Sequence, residues 1–295
     1  LVARWRATGG RHDDVAYASE RTALVALADL DTDASRKALA SLLRETADGP
    51  AGQDVRRLVE VLAAFVRRGG PAEMDVAIRA AERAREPYAV TALARVLAGA
   101  LRADAREHLR STVLLRGTPV VRAQAARALG AMGDPAAVVP LLLALRDEDV
   151  LLRTEALFAL GELRDERAAP SMTPFLKGAD ARVREATARA LGVLGSPRSL
   201  PSLVQALDDP VPRVVESAAN ALALLGQANA VSPLLDRWAR TRGHDLRLDD
   251  AFERALARLT GVALGADPDL WRAWWKENRD RAGPARAHPD APTTV

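Results

Sequence analysis

Through the middle of the chain, apolar and small residues return at a fixed step. The runs VRAQAARALGAMGDPAAVVPLLLAL from Val121, RTEALFALGELRDERAAP from Arg153, VREATARALGVLGSPRSLPSLVQAL from Val183 and VVESAANALALLGQANAVSPLLDRW from Val214 align on a step of 31 residues. Leu129, Leu160, Leu191 and Leu222 fall on that step, as do Gly130, Gly161 and Gly192, with Ala223 closing the second series. Leu145, Leu176, Leu207 and Trp238 mark it in the second half of each copy. Within the third copy, Val183, Thr187, Ala190, Leu191 and Leu194 share one face of an α-helix. Leu203, Val204 and Leu207 point the same way on a second helix. Each copy therefore predicts a helical hairpin.

The punctuation supports the hairpin. Gly133-Asp134-Pro135 and Gly195-Ser196-Pro197 place a glycine where a helix ends left-handed and a proline where the next one starts. Asp149 and Asp180 precede first helices as N-caps. Weaker copies flank the regular core. TALARVLAG from Thr91 keeps Gly99 on the register, and the segments from Val55 and from Thr22 also read as helix–turn–helix. Downstream, DAFERALARLTG from Asp250 and DPDLWRAWWKEN from Asp267 form a final, atypical pair.

The pattern Val-x-x-x-Ala-x-x-Ala-Leu-Gly, then Gly-Asp/Ser-Pro, then a leucine-rich helix resembles the phycobilisome-lyase type of HEAT-like repeat found in many bacterial proteins. The likeness is close from about Val120 to Trp238 and looser elsewhere. The ending LTGVALGADPDLWRAWWKENR is similar to the C-terminal cap of bacterial HEAT-repeat proteins. The resemblance implies an all-α fold, an α-solenoid of about eight HEAT-type helical hairpins. The expected organisation is degenerate N-terminal repeats over 1–115, regular repeats over 116–240, a capping helical pair over 241–281 and a disordered tail over 282–295. One such fold serves many functions, so function has to be argued from sites.

Composition narrows the chemistry. There is no cysteine, which removes disulfides, thiolate metal sites and cysteine nucleophiles. It fits cytosol or periplasm and leans toward the cell envelope. The chain opens at Leu1 rather than Met, so its natural N-terminus is expected upstream. No apolar run is long enough to span a bilayer. The net charge is +3, with Asp and Glu interspersed among arginines, which argues against a nucleic-acid partner.

The histidines, His12, His108, His244 and His288, stand apart in sequence and are expected on surfaces or loops. Hydroxylases built on this repeat hold iron through paired His-Glu motifs, and the chain has none. No metal or other cofactor is expected, and Gly9-Gly10 and Gly69-Gly70 lack the pattern of a phosphate loop. The arginine column Arg122, Arg153 and Arg184 reads as an inter-repeat ladder with Asp149 and Asp180.

The expected function is a non-catalytic scaffold that binds another protein or an extended peptide along the second helices. The alternative is a lyase- or glycosylase-like modifying enzyme on the same repeat. Outward columns on the second helices run Val139, Pro170, Pro201, Ser232 and Leu143, Pro174, Gln205, Asp236. From them Leu143, Gln205, Asp236 and the neighbouring Arg237 are the candidate groove residues. Trp271, Trp274 and Trp275 share one helix face and read as a cap on the open end of the stack, with an aromatic binding patch as the other reading.

Overall fold

The computed structural model describes residues 14–47, 55–83 and 87–280; the expected tail at 282–295, His12 and His288 lie outside them. The described residues form helices and turns with no strand. Two compact units divide the chain, Leu1–Pro140 and Leu141–Val295. Each is a stack of helical hairpins, the all-α solenoid architecture.

The first unit contains α1 Asp14–Asp29, α2 Asp33–Ala47, α3 Val55–Arg67, α4 Pro71–Arg83, α5 Pro87–Thr91, α6 Leu93–Ala98, α7 Ala103–His108, α8 Leu114–Arg116 and α9 Pro119–Met132. A π turn, Leu109–Val113, joins α7 to α8. The helix α3 packs against α1, α2 and α6, and α6 packs against α9. Leu58, Val59, Val61, Leu62 and Val66 of α3 are buried. Glu60 is buried beside them, which is tolerable because Arg95 lies 3.1 Å and Arg21 3.6 Å from its carboxylate. Gly99 keeps the sequence register but ends α6 instead of lying within a helix, as Gly161 and Gly192 do.

The boundary between units falls inside α10 Val138–Ala144. The second unit continues with α11 Val150–Leu163, α12 Ala169–Met172, α13 Ala181–Leu194, α14 Leu200–Ala206, α15 Pro212–Leu225, α16 Val231–Thr241, α17 Leu246–Thr260 and α18 Pro268–Asn278. The first helices α11, α13, α15 and α17 pack in succession. Leu160, Leu191 and Leu222 are wholly buried on this layer, and Leu176, Leu207 and Trp238 are buried beneath it. Val204, expected inward, is only half-buried. Truncating Leu191 to Ala would cost roughly 2–5 kcal/mol, as large-to-small changes in a close-packed core do.

The caps follow the sequence. Asp149 accepts the Leu152 N–H and Asp180 the Arg182 N–H. First helices end on left-handed residues at one register position: Gly133 in the first unit, and Arg164, Gly195 and Gly226 in the second. Arg164 takes φ 53° without glycine's freedom. Gly161 and Gly192 serve a different need. An ideal Cβ on Gly161 would stand 2.8 Å from the Ala190 carbonyl oxygen, so the bare backbone lets α11 and α13 touch.

Candidate binding groove

The second helix of the copy that begins at Arg153 does not run through. It is four α-helical residues, α12, followed by a 3-10 segment Thr173–Lys177. Pro174 sits in that segment and has no N–H to continue the α ladder, which forces the tighter winding. Between this broken element and α14 lies a groove of about 710 Å³. Pro170, Thr173, Pro174 and Lys177 line one wall, Arg198, Ser202 and Gln205 the other, and the Asp208-Asp209-Pro210 turn the end.

The acids at that end are already answered. Arg184 holds Asp209 with two hydrogen bonds of 2.6 and 2.9 Å and donates two more, of 3.0 Å, to the Gly178 and Ala179 carbonyls. Burial acts to raise the Asp209 carboxyl. Hydrogen bonds from Arg184 and the Val211 N–H outweigh it, so Asp209 titrates below the ordinary carboxylate range. Asp208 lies 3.1 Å from Arg240 and 3.8 Å from Arg237.

This arrangement corrects the expected arginine ladder. Arg184 pairs with Asp209, whereas Asp180 is bound by Arg182 and feels Arg153 only through its field. Arg122 donates its Nε to the Leu114 carbonyl.

The expected site residues separate. Gln205 is exposed on the groove wall. Leu143 is about half exposed on α10, outside the groove lining. Asp236 is exposed and lies 3.5 Å from Arg272 of α18, and Arg237 is partly buried beside Asp208. Lys177, Arg198 and Ser202 line the groove but were not among the sequence candidates, because the outward columns follow single register positions and skip the side chains between them.

Of the three tryptophans on α18, Trp271 is fully buried and donates Nε1 to the Gly265 carbonyl at 2.8 Å. Trp275 donates Nε1 to the Ser232 hydroxyl of α16 at 3.2 Å. Trp274 stacks on Trp275 and meets Trp271 edge-on, and stays partly exposed. Trp238 occupies the leucine position of its copy, stacks on Phe252 of α17 with centroids 6.3 Å apart, and donates Nε1 to buried Asp249 at 2.8 Å.

His108 departs from the surface position expected of it. Its ring is only 16% exposed, and Nε2 lies 2.8 Å from an Asp75 carboxylate oxygen. His244 is exposed, as expected. Among the described residues no three His, Asp or Glu side chains converge as a metal site requires, and no helix is long and apolar enough to cross a membrane.

A family model described as HEAT repeats matches residues 112–180 and 170–257. No curated protein sequence matches the chain. Among solved structures, the complex of CpcE and CpcF of phycocyanin lyase from a Nostoc species is similar at 25% identity, covering 65% of this chain and 78% of that one, with a TM-score of 0.45. Human deoxyhypusine hydroxylase is similar at 22% identity over 80% of this chain and 99% of that one, with a TM-score of 0.38. The karyopherin Kap121p, bound to the extreme C-terminus of the protein phosphatase Cdc14p, is similar at 15% identity and a TM-score of 0.59. That match covers 89% of this chain but 34% of the karyopherin, and its bearing is on the fold alone.

Proposed function

Since this chain is a HEAT-repeat protein, we propose that it is a non-catalytic scaffold that binds another protein, or a peptide segment of one, through the groove between the second helices of its second unit. The observation that carries this reading is the chemistry of the groove lining. Its walls are prolines, small polar side chains and alkyl stems, and its acids are tied to arginines instead of being poised for proton transfer. We further propose that the α18 tryptophan face is a cap. Two of its three indole N–H groups are spent on partners within the chain.

A pull-down read by mass spectrometry tests the scaffold reading, using the chain and a variant whose groove is filled by Ser202→Trp with Gln205→Trp. The expected result is a discrete partner captured by the parent and lost by the filled variant. A partner held equally by both moves the site out of the groove. The same reading predicts no sub-micromolar binding of DNA or RNA at physiological salt, because Arg167, Arg182, Arg184 and Arg240 are each paired with a carboxylate.

A further inference from the structure

We propose that the groove takes a partner segment in which an aromatic side chain stands next to a carboxylate. The ring seats against Pro170 and Pro174, and the carboxylate meets Lys177 and Arg198. This rests on the scaffold reading above and narrows it to a class of ligand.

The first support is what the neighbouring helix places at the same register positions further along the array. Two steps of the 31-residue register carry Pro170 to Ser232 and Pro174 to Asp236, both on α16. There the neighbouring second-layer helix, α18, supplies Trp275 to Ser232 at 3.2 Å and Arg272 to Asp236 at 3.5 Å. At these register positions an indole N–H and a guanidinium from the neighbouring second-layer helix meet the exposed side of α16. Between Pro170 and Pro174 and the facing α14 no aromatic side chain lines the space, and about 710 Å³ stays open. Two proline rings offer rigid apolar faces there, so burying an aromatic against them costs little ordering on the protein side.

The second support is charge. At the later register position Asp236 is acidic and faces an arginine of α18. In the open groove Pro174 replaces that acid, and Lys177 stands where the register later has Ala239. Lys177 and Arg198 are exposed and form no ion pair among the described residues, whereas Asp208 and Asp209 are answered by Arg240 and Arg184. The groove mouth therefore presents positive charge without a partner, and the occupant that complements it carries a carboxylate where α18 carries Arg272.

The test is selection of a phage-displayed random peptide library on the full chain, followed by fluorescence anisotropy with the enriched peptides made synthetically. Enrichment of a Trp, Tyr or Phe beside Asp or Glu is expected. Affinity should fall by on the order of tenfold or more in the Lys177→Glu, Arg198→Glu double variant, and likewise in Pro174→Trp, which fills the crevice with its own ring. It should be unchanged in Trp274→Ala. Lys177→Gln with Arg198→Gln, milder changes at exposed positions, give a second reading should Pro174→Trp disturb the fold. Peptides that lack the aromatic–acid pairing but are lost in Pro174→Trp would overturn this inference and leave the scaffold reading standing. Peptides untouched by any groove variant, or no enrichment at all, would count against both.

Discussion

Gly192 and Ala221 face each other so closely that an ideal Cβ on Gly192 would stand 2.7 Å from the Ala221 Cα and 2.8 Å from its Cβ. Helix propensity alone favours Ala over Gly by about 1 kcal/mol in a helix interior. Here the obstacle is the backbone and Cβ of the next helix, which can yield only if α13 and α15 separate. Gly192→Ala is therefore expected to destabilise by roughly 1–3 kcal/mol, against its propensity. Denaturant titration of the two proteins checks the sign, and a stabilised variant would show that the helices are free to part.

Arg164 makes the opposite case. It holds the left-handed position that Gly195 and Gly226 fill in the next two copies, and a side chain there costs roughly 1–2 kcal/mol. Arg164→Gly should raise stability by about 1 kcal/mol, visible as a higher Tm. The side chain is exposed and has no ion pair among the described residues, so little is lost in exchange.

Trp238→Leu would restore the leucine of the register and yet destabilise. Asp249 would lose its indole donor inside the core, and the space beside Phe252 would empty. A loss on the order of 3 kcal/mol is expected. Adding Asp249→Leu should recover part of it, so a double-mutant cycle should show strong coupling between the two positions.

Asp180 is expected to shape the acid limb of stability. Hydrogen bonds from the Arg182 side chain and N–H lower its carboxyl from 3.8 to about 2. Because the folded value lies below the unfolded one, the cap's contribution is complete above about 3.8 and fades as pH falls toward about 2. A carboxyl NMR titration should place the Asp180 midpoint near the bottom of that window. In Asp180→Asn this part of the acid dependence should be missing.

Removing the chain from Asp267 onward takes away α18 and its contacts to Ser232 and Asp236 on α16. Lower stability or solubility is expected, with central helicity retained. Trp238 should keep a buried emission spectrum, because its stacking partner Phe252 lies on α17 and stays in place. A truncated protein equally stable and soluble, but unable to bind a partner its parent binds, would make the tryptophan face a binding site instead of a cap.

What could be read from the sequence divides along a physical line. The hairpins, the buried leucines and the Asp149 and Asp180 caps were legible because each depends on residues within a few positions of one another. The pairing of Arg184 with Asp209 was not, since it joins residues 25 positions apart across a hairpin, and no local pattern names which acid an arginine meets there. His108 was misplaced for the same reason: its partner Asp75 lies on another helix. For the candidate groove, Gln205 could be drawn from the outward columns. Lys177 and Arg198 could not, because the groove lies where Pro174 breaks its element beside α14, and that break is not visible in the columns. A proline centred in an otherwise helical segment was the available signal.

The close approach of glycine to alanine makes the array a structure of adjustable length. Gly161 meets Ala190 and Gly192 meets Ala221, each across the same number of residues, so each copy carries the socket that its successor's alanine needs. A tandem duplication of one register length inserted between those copies would supply both halves of its own joints. Growth or loss by whole copies thus keeps the glycine–alanine joints intact, while insertion of a partial copy breaks one. The series stops where the register reaches Ala223 and Phe252: neither half of the joint survives there, and a copy added beyond that point would find no socket to enter.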